Sequence, residues 1–306
     1  MPTCRQIDDI VKQKRKKMKK AVGLLAVLLG FAVIQPVQAA ETDTIAIIDT
    51  AIDSSKNSNV IYEVCFTLKT CPNGTSFQEG KGSAMVNDWK VKGVDHGFNV
   101  SQAAVQANPS VKIVFIRISD INVYSTFSAM HNDGRSLSRA IEWVSKNAAK
   151  YNIKAVSISQ SRSNFTAGTC PKDVVFESAV SNLNAQNVAT FVATGNDGKK
   201  NMIGFPSCVP GVIAVGALRP MNVPKPYPAS SYTDFATYSN VGPGLDIVAK
   251  GDADIKSLGG WDITVTGTSV ATPIAASLAV AKNSSLNWDA FIATLPKSVN
   301  YPYISK

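Results

Sequence analysis

From residue 44 onward the chain alternates short apolar runs with longer stretches of helical spacing, and this alternation restricts its fold more than any other feature. TIAIID (44–49), VKIVFIRIS (111–119), KAVSIS (154–159), VATFVATGN (188–196) and GVIAVGAL (211–218) read as buried strands. HGFNVSQAAVQAN (96–108), SLSRAIEWVSKNAAKYN (136–152) and DVVFESAVSNLNAQN (173–187) read as helices between them; the second spaces Leu137, Ile141, Val144 and Ala148 along one helical face. TSVATPIAASLAVAKN (268–283) and LNWDAFIATL (286–295) add two more. Such alternation predicts an α/β domain with a mostly parallel sheet and helices on both faces, three layers in all. RPMNVPKPYPASSYTD (219–234) is a proline-rich surface loop, with strand-like sequence resuming beyond it. There is no internal repeat and no linker long enough to divide the chain.

The N-terminus has another character. The basic run KQKRKKMKK is followed by fourteen uncharged residues, AVGLLAVLLGFAVI, and then by QPVQAA. Basic, apolar and small-residue regions in that order describe a secretory signal peptide over residues 1–39. The apolar run is short of the ~20 residues a membrane span needs. Val37 and Ala39 hold the small-residue positions, so cleavage is expected after Ala39 or Ala40, and Met18 is an alternative start. The leader also accounts for the formal charge of +9: it carries eight of the 31 Lys and Arg. The remainder is close to balanced, which argues against nucleic acid as a partner. Membrane contact is expected only during export, and the mature protein is expected to be secreted or periplasmic. Residues 40–306 would form the domain with no propeptide of its own, which leaves room for a separately encoded inhibitor or chaperone. Cys4 is lost with the leader, leaving Cys65, Cys71, Cys170 and Cys208. An even count in an oxidising compartment indicates two disulfides, with three connectivities open. No CxxC pair or histidine cluster indicates a metal.

In open parallel sheets, functional groups gather at the carboxyl ends of the strands. Asp49 ends the first strand, Asn196 follows TFVATG, and Ser269 opens a helix after DITVTG. Nucleophilic acyl transfer needs a hydroxyl, an imidazole base, a carboxylate to orient it and donors for the oxyanion. Beyond the leader there are two histidines. His131 lies in the turn signal HNDG and reads as a loop histidine. His96 stands at a helix start. Asp53 lies past the strand end, and Asp95 adjoins His96 too closely to face its ring. Taken alone, GTSVATP reads as a helix start with Thr268 or Ser269 as N-cap and Pro273 in the first turn, and Asn196 as a turn residue.

Together these residues resemble the subtilisin family of serine proteases. AIIDTAID (46–53), DHGFNVS (95–101), FVATGNDG (191–198) and GTSVATP (267–273) resemble its aspartate, histidine, oxyanion-asparagine and nucleophile motifs, in the family's order. FPSCVPGVIAVGA (205–217) and IEWV with KAVSIS resemble segments between them, so the likeness spans roughly residues 44–296. The resemblance implies a serine endopeptidase acting on peptide or protein substrates: Ser269 as nucleophile, His96 as base, Asp49 orienting it and Asn196 donating to the oxyanion. It implies a side-chain pocket between Ser159, Gln160 and Ser161 on one side and Ala193, Thr194 and Gly195 on the other, with HNDGRS (131–136) at the opposite binding edge. Arg162 is expected as a solvated surface residue. No cofactor is implied for the chemistry. Structural calcium occurs in the family, but the resemblance assigns it no ligands here. Cys65–Cys71 is expected around the turn CPNG, and Cys170–Cys208 from the family layout and by elimination. Ala51, Phe98, Asn99, Ser101 and Gln102 depart from the family motifs without removing a catalytic group. The rival reading is a catalytically silent homologue that binds peptides or a partner protein.

Overall fold

TIAIID forms strand β1 (Thr44–Asp49), with all six residues buried. In this computed structural model the described residues are 43–90, 93–120, 135–166, 168–220, 225–283 and 287–306. The leader, His131 and the first four residues of HNDGRS lie outside them. Strands β2 (Val60–Phe66), β3 (Phe77–Glu79), β4 (Lys112–Arg117), β5 (Ile153–Ile158), β7 (Ala189–Ala193), β9 (Ile213–Leu218), β10 (Ile247–Lys250), β13 (Lys297–Ser298) and β14 (Tyr301–Ile304) join it. They make a ten-stranded sheet in the order β13-β14-β10-β9-β7-β5-β1-β4-β2-β3. Every pairing from β14 across to β2 is parallel; only β3 and β13, at the two edges, run antiparallel to their neighbours.

The helices cover both faces because successive strand residues point to opposite sides. Ile45 and Ile47 share one core with Phe98 and Ala103 of helix α1 (His96–Ala107) and with Val270, Ile274 and Leu278 of helix α4 (Thr268–Lys282). Ala46 and Ile48 share the other core with Ile141 and Val144 of α2 (Arg135–Asn147) and Phe176 and Val180 of α3 (Val174–Ala185). A short helix α5 (Trp288–Thr294) follows. All five predicted helices are present.

Two antiparallel strand pairs stand apart from the sheet: β6 (Arg162–Phe165) with β8 (Ile203–Phe205), and the hairpin of β11 (Asp252–Lys256) with β12 (Asp262–Thr266). The second corrects an expectation. DITVTG is no strand of the main sheet, so the position of Ser269 comes from α4 packed under the sheet. Both disulfides form as expected, Cys65–Cys71 and Cys170–Cys208, with Cα atoms 5.9 and 5.6 Å apart. Among the described residues no helix is long and apolar enough to cross a membrane.

β1 lies between β4 and β5: the strands that follow it through β4 lie on one side of it, and β5 and the later strands of the sheet on the other. This reversal opens a crevice at the carboxyl ends of β1, β5 and β7, where ligands of open α/β sheets bind.

Candidate active site

Asp49 ends β1 fully buried, and its Oδ1 accepts from His96 Nδ1 at 2.7 Å. The same oxygen accepts from the Thr50 backbone N–H at 2.6 Å. Thr50 ties the two elements together: its hydroxyl donates to the Val94 carbonyl and accepts from the Gly97 N–H, each at 2.8 Å. Gly97 is required because a Cβ there would press on the Ala51 carbonyl at 2.7 Å. The departures Phe98 and Ser101 are accommodated inside α1. Phe98 is buried in the core, and the Ser101 hydroxyl caps the Gly97 carbonyl at 2.8 Å. Burial opposes a proton on His96, but the charge and hydrogen bond of Asp49, with the charge of Asp95, outweigh it and hold the imidazole above its ordinary pKa of 6.5. The ring remains 24% exposed.

Ser269 is the second residue of α4, near the positive end of a fifteen-residue helix. Two sequence expectations are corrected here. The N-cap is Gly267, not Thr268 or Ser269, and the capping oxygen comes from another loop. Asn196 Oδ1 accepts from the Thr268 N–H at 2.8 Å and from its hydroxyl at 3.0 Å. Pro273 is the sixth residue of α4, beyond the first turn, so its missing N–H deprives the Ser269 carbonyl of its helical partner. The Ser159 hydroxyl replaces that donor at 2.8 Å. The proline thus lets a residue at the end of β5 hold the turn of Ser269.

With its Oδ1 engaged, Asn196 presents its Nδ2 toward Ser269. Gly267 has φ +154° and ψ 163°, a conformation reserved for glycine. A Cβ built there would lie 2.6 Å from Ser269 Oγ, 3.3 Å from Asn196 Nδ2 and 3.5 Å from the Ser269 N–H nitrogen. One hydroxyl and two donors therefore converge on a space that only glycine leaves open.

His96, Asn196 and Ser269 line an open cleft of about 670 Å³. Ser159, Gln160 and Ser161 form one wall, and Ala193 and Gly195 the other. Gln160 Nε2 is buried there without an acceptor among the described residues. Thr194, grouped with the pocket by sequence, turns away from it: its side chain is buried and donates to the Asn240 carbonyl at 2.9 Å. Arg162 is half-buried, with its guanidinium 4.6 Å from the centre of the Phe205 ring.

Asn240 escaped the sequence reading. It is fully buried, and its Oδ1 accepts from the N–H groups of Asp197 and Lys199 at 3.1 and 3.0 Å. Its Nδ2 donates to Asn164 Oδ1 at 2.7 Å and to the Thr194 carbonyl at 3.1 Å. The residue thereby fixes the loop that carries Asn196. In the sequence it stands in SNVGPG, where it looks like any turn asparagine. Among the described residues no group of three or more His, Cys, Asp or Glu could hold a metal ion.

The model of the subtilase family matches residues 41–299. The chain belongs to the subtilase family. Its relatives among characterised proteins include subtilisin BL of Lederbergia lenta, 26% identical over 251 residues and covering 80% of this chain and 77% of the relative. Subtilisin NAT of Bacillus subtilis subsp. natto is 28% identical, covering 80% of this chain and 56% of the relative. Among solved structures, the nisin leader peptidase of Lactococcus lactis shares the fold with a TM-score of 0.64 at 18% identity, over 87% of this subtilase and 86% of that chain. This subtilase is accordingly a serine-type endopeptidase, with peptides or proteins as its substrates.

Proposed function

We propose that this subtilase cleaves peptide bonds through Asp49, His96 and Ser269 by way of an acyl-enzyme. The Ser269 hydroxyl adds to the scissile carbonyl carbon as His96 Nε2 takes its proton. The carbonyl oxygen, now an oxyanion, accepts from Asn196 Nδ2 and the Ser269 N–H, beside the positive end of α4. Asp49 holds the His96 tautomer and stabilises its charged form. The carbon–nitrogen bond then breaks, and the amine leaves with the proton from His96. Water attacks the remaining ester and gives a proton to His96, which returns it to Ser269 as the acid departs.

The observation that carries the proposal is the 2.7 Å bond from His96 Nδ1 to the buried Asp49 carboxylate, with the imidazole and Ser269 lining one cleft. Hydrolysis of a peptide pool by the protein made from the full chain, compared with its Ser269→Ala variant, tests it. Turnover should disappear with the hydroxyl. Equal turnover by the purified variant would remove Ser269 from the mechanism, and absence of turnover in both would favour the catalytically silent homologue.

The same reading places the protein outside the cytoplasm after removal of the leader at Ala39 or Ala40. The two disulfides support it, since such bonds persist in oxidising compartments. N-terminal sequencing of the exported protein tests that cleavage.

A further inference from the structure

Beside Ser269 the cleft forms a slot between two backbone segments, and both are tied to the serine's own turn. Ser159 donates to the Ser269 carbonyl, and the Gly195 N–H donates to Thr268 Oγ1 at 3.2 Å. The slot therefore opens at the hydroxyl. A substrate whose carbonyl oxygen meets Asn196 Nδ2 and the Ser269 N–H carries its next side chain one bond farther on, at the slot's mouth. Ser161 lines the cleft, and its hydroxyl sits in space left open by two glycines, Gly195, whose absent side chain also makes room for Asn240, and the buried Gly204 of β8. A Cβ built on Gly195 would lie 3.0 Å from Ser161 Oγ. One built on Gly204 would overlap that oxygen outright and lie 3.2 Å from Ser161 Cβ. The Ser161 side chain thus reaches from its own wall toward the segment of Gly195, into space that a side chain on either glycine would need. Its wall cannot simply retreat, because β6 pairs with β8 through Arg162 and Phe205, and Asn164 is held by Asn240 at 2.7 Å and donates to Asp197 at 3.0 Å.

We infer that Ser161 is a specificity-determining residue that closes the slot, so that this enzyme cleaves after small residues such as alanine, serine and glycine and rejects aromatic and long aliphatic ones. The inference rests on the proposed hydrolysis for its orientation of the substrate. The test uses two peptides that differ only in Ala or Phe before the cleaved bond, with the wild-type enzyme and its Ser161→Ala and Ser161→Gly variants. A single methylene too many for an apolar pocket already discriminates by roughly 10–200-fold. Wild type should favour the alanine peptide in kcat/KM by at least about 10-fold. The ratio should fall with Ser161→Ala and fall further with Ser161→Gly. Similar rates on both peptides, or a ratio that Ser161→Gly leaves unchanged, would overturn the inference while leaving the hydrolytic reading intact. If neither peptide is hydrolysed, that reading fails, and binding of the two peptides to Ser269→Ala with and without Ser161→Gly decides the slot. Tighter binding of the alanine peptide that Ser161→Gly abolishes supports it, and equal affinities refute it.

Discussion

The chemical end of the cleft and its slot lie side by side but are assembled by opposite means. Asp49, Thr50, Val94, His96 and Gly97 hold one another through short bonds between two brief stretches of the chain. The slot is assembled from the space left between segments far apart in the chain: Ser161 against Gly195 and Gly204, Arg162 over Phe205, and Asn240 joining Asn164 to the Asn196 loop. The first arrangement demands particular groups at particular backbone positions. The second demands only a volume, which many sequences can set.

The comparison is sharpened most by Ser269→Ala. Turnover should fall by about 10⁶-fold, the magnitude already known for subtilisin. The thermal midpoint should move little, because that hydroxyl makes no hydrogen bond among the described residues. A large change in midpoint would show that catalytic and structural roles are mixed at this turn.

Asn196→Ala should lower kcat by roughly 10²–10³-fold with KM little changed, again the magnitude known for such a donor in subtilisin. It should also cost about 1 kcal/mol of stability, because Asn196 Oδ1 caps the Thr268 N–H. A change confined to KM would instead make Asn196 a ground-state binding residue.

Asn240→Ala is the substitution that could break the comparison, since it belongs to the slot side yet anchors the loop of Asn196. Removing it should lower kcat by about tenfold through misplacement of that donor. Leaving the Asp197 and Lys199 N–H groups without their acceptor should cost about 1–3 kcal/mol. In a background already lacking the Asn196 side chain, the same change should barely affect kcat. Full additivity there would deny the coupling. Smallest of all, Ser159→Ala removes the donor that Pro273 made necessary and should cost about 1 kcal/mol.

This asymmetry explains what could be read from the sequence. The alternation of apolar runs and helical spacing predicted the five central parallel strands and all five helices, because buried parallel strands read as continuous apolar runs. The outer strands and the β11–β12 hairpin escaped. Asp254, Lys256, Asp262 and Thr264 alternate with buried or half-buried neighbours in DADIK and DITVT, and these two segments pair with each other rather than with the sheet. Asp49, His96, Asn196 and Ser269 could be picked out as candidates because each sits in a motif and at a strand or helix end. Thr194 was misassigned because a side chain's direction depends on a partner, Asn240, that lies 46 residues away. Pro273 was misplaced by one turn, and with it the reason for Ser159. The disulfides were legible from a turn, a layout and elimination among four cysteines.

The central claim is that Asp49 and His96 act on Ser269 as one unit, and the rate of Ser269 labelling by a fluorophosphonate against pH tests it most directly. Labelling needs neutral imidazole, and Asp49 raises the His96 pKa, so the rate should rise with pH through a midpoint above 6.5. The same shift stabilises the fold fully below the ordinary pKa and is lost as pH rises through the raised one, so this contribution to stability should decline as labelling increases. Asp49→Asn should move the labelling midpoint downward and slow the plateau rate. Labelling of Ser269 that is independent of pH, or a midpoint that Asp49→Asn leaves in place, would contradict the account.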